Sequence, residues 1–168
     1  MGSRRTSGGA TASRLGGAAV RFPVIRVGCD GVQLPLPVAT VRRIVAVVLR
    51  AEGRAAEPPS RRADITVTFV GPVAMRRLNR EWKGHDEATD VLSFALRPPE
   101  GGVTGDVYIC PAVARGQARL HQVPFGDEIA RLVVHGTLHV LGYDHPEGRG
   151  RTRSAMWRRQ ERYLKALA

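Results

Sequence analysis

Aromatic residues make up only 5% of this 168-residue chain, so its core must be built from Val, Leu, Ile and Ala. Cysteine is scarcer still. Cys29 and Cys110 are the only two, which excludes a disulfide framework and a CxxC metal knuckle. Each lies beside a strand-like apolar segment, so two buried free thiols are expected, as suits a reducing compartment. No apolar run approaches a membrane span, and Ile44 to Leu49 falls far short of one. The early run Ala18 to Val20 is likewise too short for the apolar region of a secretory signal. Internal repeats are absent. Lysine is scarce while Arg, Ala and Gly abound, a bias that a GC-rich genome also produces.

The formal net charge of +11 is unevenly spread. Residues 1–62 hold 11 Arg against Asp30, Glu52 and Glu57, a surplus of +8, whereas residues 63–168 carry only +3. A basic surplus attracts polyanions by counterion release, but solubility and codon bias explain it equally well. Residues 1–21 contain no acid and few large apolar side chains. They are expected to form a disordered basic tail, with an organellar transit segment and a misassigned start as the alternatives.

The folded part is expected to begin at residue 22. Val24, Ile25 and Val27 suggest a strand ended by Gly28 to Gly31. Pro37 can open a helix bearing Val38, Val41, Val45 and Val48 at helical spacing. Gly53 to Arg62 reads as a loop. Ile65, Val67 and Phe69 alternate with threonines as in a half-buried strand. Gly71-Pro72 then turns the chain into a helix carrying Met75, Leu78 and Trp82 on one side, followed by a polar loop from Lys83 to Thr89. Val91 to Leu96 reads as a central strand and Val107 to Ile109 as another. Helices are expected over Pro111 to His121, Phe125 to Leu141 and about Arg149 to Leu167. Strands and helices mix without strict alternation. The expected class is α+β: one compact domain over residues 22–168, with a small mixed sheet packed with about five helices.

Three of the five histidines fall within eleven positions, in His135-Gly136-Thr137-Leu138-His139-Val140-Leu141-Gly142-Tyr143-Asp144-His145. His135 and His139 share one helix face, and Gly142 can adopt the left-handed conformation that turns the chain back toward them. His145 can then reach the same ion. Three neutral imidazoles suit one Zn²⁺ per chain at the end of a central helix, leaving a fourth position for water. A single histidine on an apolar helix is usually a packing residue; three at this spacing favour a metal. The spacing also matches the zinc-protease pattern H-E-x-x-H-x-x-G-x-x-H. Gly136 stands where that pattern has its general-base Glu, so peptide hydrolysis is disfavoured. Water on the metal can still become hydroxide near neutral pH and attack a phosphodiester, if cations stabilise the transition state.

This segment resembles the signature of the YbeY family of rRNA maturation factors. A second block, Leu78 to Phe94 (LNREWKGHDEATDVLSF), is similar to the family's L-N-x-x-Y-R-G-x-D-x-x-T-D-V-L-S-F, and Gly105 to Cys110 resembles its G-D-[IV]-x-I-[SC]. The resemblance covers roughly residues 24 to 167. It implies a zinc-dependent endoribonuclease specific for single-stranded RNA, acting in 16S rRNA 3′ end maturation and ribosome quality control. It further implies an rRNA precursor as substrate, the small ribosomal subunit as partner, and a cytoplasmic location without membrane attachment. His135, His139 and His145 carry over as metal ligands.

The family's Arg in R-G-x-D is Lys83 here, which keeps the charge but loses the planar fork suited to phosphate. Lys83 is thus the candidate catalytic cation, or else a solvated loop lysine. His85 either donates to phosphate or is a surface histidine. Asp144 either orients an imidazole from behind or caps the turn. Asp90 and Asp106 either position the cleft or satisfy strand ends, and Met156 lies either under the metal or simply in the core. The rival functions are a zinc peptidase-like hydrolase and a non-catalytic zinc-containing ribosome-assembly or RNA-binding factor.

Overall fold

Alternation in residues 63–70 produces the strand on which the fold is organised. Ile65, Val67 and Phe69 are fully buried on one face of β2 (Ala63–Val70), as the pattern requires. Two strands lie parallel to it, β1 (Val24–Asp30) on one side and β4 (Val103–Ile109) on the other. A fourth, β3 (Val91–Leu96), runs antiparallel to β4, giving the order β1-β2-β4-β3. The register aligns Val27, Val67, Val107 and Ser93 in one row across the sheet. The computed structural model describes residues 23–53, 63–96, 98, 101–146, 148 and 150–168. The expected tail 1–21 and most of the expected loop Gly53 to Arg62 lie outside these.

Five α-helices complete the described residues: α1 (Val38–Glu52), α2 (Pro72–Lys83), α3 (Pro111–Leu120), α4 (Phe125–Val140) and α5 (Ala155–Leu167). Proline opens α2 and α3 at the first helical position, where its missing N–H costs nothing. The main core lies between the sheet and α1, α4 and α5, drawing Val41, Ile44, Val45, Leu132, Val133, Leu138 and Met156 onto the Ile65–Val67–Phe69 face. A smaller cluster of Val70, Met75, Leu92 and Cys110, with Leu78 packed against it, covers the opposite face. The result is one α+β domain.

Several expectations change. β3 is an edge strand, not a central one. Its unbroken apolar run arises because both faces are covered: α4 packs on one, and Phe94 sits between Trp82 and Tyr108, at ring-centroid distances of 5.5 and 6.0 Å. Trp82 therefore leaves the buried side of α2 and is 60% exposed. β4 starts at Val103, ahead of the expected Val107, because Gly105 and Asp106 are poor strand formers that hid its first half. Cys29 is exposed near the end of an edge strand; only Cys110 is buried. The last helix begins late. Arg151–Arg153 form a short 3-10 turn, and Ser154, extended at φ −68° and ψ 156°, caps α5 by accepting the Trp157 N–H at 3.0 Å.

Helix α4 lies unusually close to the sheet. A Cβ at Gly136 would stand 2.4 Å from Val107 Cγ1 and 3.0 Å from Ser93 Oγ. A Cβ at Gly105 would meet the Phe94 carbonyl at 2.4 Å and Val140 Cγ1 at 2.6 Å. Both glycines are required by space. Gly116, exposed within α3, has nothing within 4 Å of its added Cβ. Gly136→Ala is therefore expected to destabilise by overpacking, by about 1–3 kcal/mol. Gly116→Ala should stabilise by roughly 0.5–1 kcal/mol through helix propensity alone. Urea unfolding of the two variants checks this, and a neutral Gly136→Ala would refute the close approach.

Candidate metal centre

His135 and His139 stand one turn apart near the end of α4. The helix closes through Gly142, at φ 92°, whose N–H donates to the His139 carbonyl at 2.9 Å. The Tyr143 N–H reaches back to the Leu138 carbonyl at 3.0 Å, completing a helix-ending turn of the Schellman type. The reversed chain brings His145 to the first two rings. His135 Nε2 is then 3.1 Å from His139 Nε2 and 3.4 Å from His145 Nε2, and one ring nitrogen from each residue lies within 4.8 Å of the others.

The far nitrogens explain which atoms converge. Gln160 Nε2 donates to Glu161 Oε1 at 3.3 Å, so Gln160 Oε1 is left to accept from His135 Nδ1–H at 2.9 Å. His145 Nδ1 donates to the Pro146 carbonyl at 3.2 Å. The Nε2 atoms of His135 and His145 thus face each other as lone pairs, which repel unless a cation lies between them. Bonds of about 2.0–2.1 Å to a tetrahedral zinc place ligand nitrogens roughly 3.3 Å apart. The observed spacings of 3.1 and 3.4 Å match, so the donor set fits such an ion.

Burial keeps the His135 and His139 rings neutral, as ligands must be. Desolvation is the largest cause pushing His135 down to about 3, reinforced by the charges of His139, Arg151 and His145 against the Gln160 hydrogen bond. Desolvation also lowers His139, helped by His145 and Arg151 and opposed by Asp144.

The three rings open into a cleft of about 570 Å³, walled by Thr89 to Ser93 on the edge strand and its approach, by Lys83, and by Asp144, Gly148 and Arg151. Lys83 ends α2 at the rim and is exposed. Gly84, at φ 75°, caps that helix, and the following loop is fastened to it by two side chains. Asn79 Nδ2 donates to the Glu87 carbonyl at 2.9 Å, and Arg76 forms a bidentate pair with Asp86 at 3.0 and 2.6 Å. His85 is exposed and does not line the cleft. Asp90 lines it while accepting the Val91 N–H at 2.9 Å; Asp106 lies in β4 opposite Thr66 and Phe94 and does not line it. Asp144 accepts the His145 N–H at 2.8 Å and stands 3.9 Å from His139 Nδ1, beyond hydrogen-bond distance. Met156 is a core residue.

Sequence reasoning missed three participants. Gln160 is a polar residue in the buried stripe Met156–Gln160–Tyr163 of α5, and its place on an apolar face is the signal that could have found it. Arg151 was hidden in an expected helix. Glu52, at the end of α1, is 8% exposed and accepts hydrogen bonds from Tyr143 and Tyr163, with Arg159 at 3.2 Å. Burial alone would raise its carboxyl, but the two tyrosines and Arg159 outweigh that and hold it below its ordinary value. This cluster ties the turn between His139 and His145 to α1 and α5.

Both shifts have one sign. Between about 6.5 and about 3 the unfolded chain protonates a histidine that the metal-free folded chain keeps neutral at position 135. Stability is therefore complete above the unfolded value and is lost as pH falls through that window. Glu52 adds a second loss once pH drops below its unfolded value of 4.5. The urea midpoint of chelated protein should fall from about pH 7 to about pH 5, and less steeply in His135→Asn. Equal slopes would show that His135 is not held neutral by folding.

Comparison with known proteins agrees with this geometry. The family model described as Endoribonuclease YbeY matches residues 32–168. An endoribonuclease YbeY from Anaeromyxobacter sp. is 45% identical over 107 residues, covering 62% of this chain and 53% of that protein. One from Paraburkholderia phymatum is 41% identical over 113 residues, covering 67% of each. The match thus spans from about half to two thirds of the length of these relatives. A Thermotoga maritima protein solved in solution superposes with a TM-score of 0.54 at 25% identity, over 86% of this chain and 89% of that one. With its motifs, its fold and most of its length in agreement, the chain belongs to the YbeY endoribonuclease family.

Proposed function

We propose that the chain is a zinc-dependent endoribonuclease acting on single-stranded RNA, with one ion held by His135, His139 and His145. The observation that carries this reading is the convergence of three imidazoles in a cleft rimmed by Lys83. When bound, zinc supplies a Lewis acid and acidifies water for attack. The chain's own residues do the rest. Gln160 and the Pro146 carbonyl hold the Nδ1 protons of His135 and His145, leaving their Nε2 lone pairs free. Lys83 meets the phosphate and offsets the negative charge that grows as its oxygens crowd in the transition state. A cleft of about 570 Å³ has room for a nucleotide or two but not for a paired helix, which supports single-strand specificity.

The peptidase reading fails on space as well as on chemistry. Its general base belongs at position 136, where even a Cβ would stand 2.4 Å from Val107. Family membership and the basic surplus of the chain support an rRNA precursor as the natural substrate. On this reading the protein works with the small ribosomal subunit in the cytoplasm, in 16S rRNA 3′ end maturation and ribosome quality control.

Purified protein is expected to hold about one zinc per chain and to lose most of it in His139→Ala, as measured by elemental analysis. With metal content matched, Lys83→Ala should cut single-stranded RNA about a hundredfold more slowly, the scale of removing one transition-state stabilising group. Lys83→Arg should retain activity, and a peptide library should remain intact. Cleavage by the parent no faster than by chelated protein would leave an RNA-binding factor in place of a nuclease.

A further inference from the structure

Lys83 is not the sole cation facing the cleft. Arg151 opens the 3-10 turn six residues after His145, its backbone N–H held by the Gly148 carbonyl at 3.3 Å. Its side chain lines the cleft together with the three histidines. It also lines an adjoining cavity of about 690 Å³, whose wall shares Thr89 and Asp90 with the cleft. Arg151 therefore stands on the partition between the two spaces.

The other guanidinium lining these spaces is engaged by carboxylates: Arg131 pairs with Glu128 and approaches Asp90 at 3.7 Å. Arg151 differs: its buried Nε has no hydrogen-bond partner among the described residues. A desolvated guanidinium N–H without an acceptor is unfavourable unless a ligand supplies one. The position of the charge narrows the choice of ligand. Arg151 and Lys83 are the Lys and Arg side chains that line the cleft of His135, His139 and His145 among the described residues, so an anion entering it meets both. Glu87, Asp127, Glu128 and Glu161 line the adjoining cavity, and Asp90 lines both spaces, so an anion is favoured on the cleft side of Arg151.

We propose that Arg151 binds a backbone phosphate of the RNA strand where the strand leaves the metal cleft, supplying the planar two-donor contact that Lys83 lacks. This rests on the RNA reading above. Lys83 then acts on the reacting phosphate, while Arg151 grips its neighbour and sets the path of the chain. Its contribution is to binding, present in ground state and transition state alike, so it enters KM and not kcat.

The test uses the zinc-loaded full chain and a labelled single-stranded oligouridylate, with anisotropy recorded over a range of salt and with kcat and KM measured on the same RNA. Arg151→Ala should weaken binding about tenfold and reduce the salt slope by about one, with kcat little changed and metal content intact. Arg151→Lys should restore the slope but only part of the affinity. Arg151→Gln replaces the alanine variant if the latter melts early. Unchanged affinity and slope in Arg151→Ala or Arg151→Gln would overturn the proposal, as would a fall confined to kcat. A parent that binds RNA through Arg151 yet cuts none supports this contact and defeats the nuclease reading. A parent that does not bind RNA at all defeats both.

Discussion

Helix α4 can reach the sheet only where side chains are missing on both surfaces, and this close approach governs where the functional groups stand. Gly136 lies over Val107 and Ser93, and Val140 lies over Gly105, so that a single added Cβ at either glycine would overlap its neighbour. The helix consequently runs low across β4 and β3. Because β3 is the edge of the sheet, the polar end of α4 emerges beside Val91 to Ser93, and the space next to that edge becomes the cleft. The same contact removes room for a carboxylate at position 136. One packing constraint thus exposes the histidines to a substrate and withholds the acid/base group of a peptidase.

A second layer of order surrounds the rings. Burial makes charge unfavourable on His135 and His139, and acceptors behind His135 and His145 direct the remaining lone pairs inward. The acceptor for His135 comes from α5, while the turn leading to His145 is held by Tyr143 on Glu52 of α1. Residues 52, 143, 159 and 163 are joined through one buried carboxylate, which accepts from two hydroxyls and a guanidinium. Removing that carboxylate would leave buried donors unsatisfied and release the turn that carries the third ring. Cations from α2 and from the 3-10 turn line the same cleft as the three rings, giving an anion a reason to enter.

Much of this was legible along the chain because it depends on local periodicity. Helical spacing placed His135 and His139 on one face, and Gly142 marked the reversal that brings His145 back. Two-residue alternation identified β2, and proline marked the starts of α2 and α3. The misreadings have two causes: some concerned what lay across from a residue, and others a local exception such as the poor strand formers of β4 or the cap of α5. Val91 to Leu96 read as central because it is apolar throughout, yet its cover comes from Trp82, Tyr108 and α4. Ser154 stopped the last helix from extending backward by capping it, and Arg151 was thereby set apart in its own turn.

The amino-acid order alone determined the chemistry on offer: three imidazoles at metal-binding spacing, a lysine ahead of a turning glycine, and no glutamate where a peptidase needs one. These are properties of neighbours within a turn or two, governed by helix geometry and by the conformational freedom of glycine. Tertiary structure decided which groups support that chemistry. It brought Gln160 behind His135, Glu52 under Tyr143, and Arg151 into the same cleft as Lys83. Such pairings join residues far apart in the chain, and they arise only once the sheet order and the depth of α4 are set by packing, because no local pattern specifies what a distant segment will bury against it.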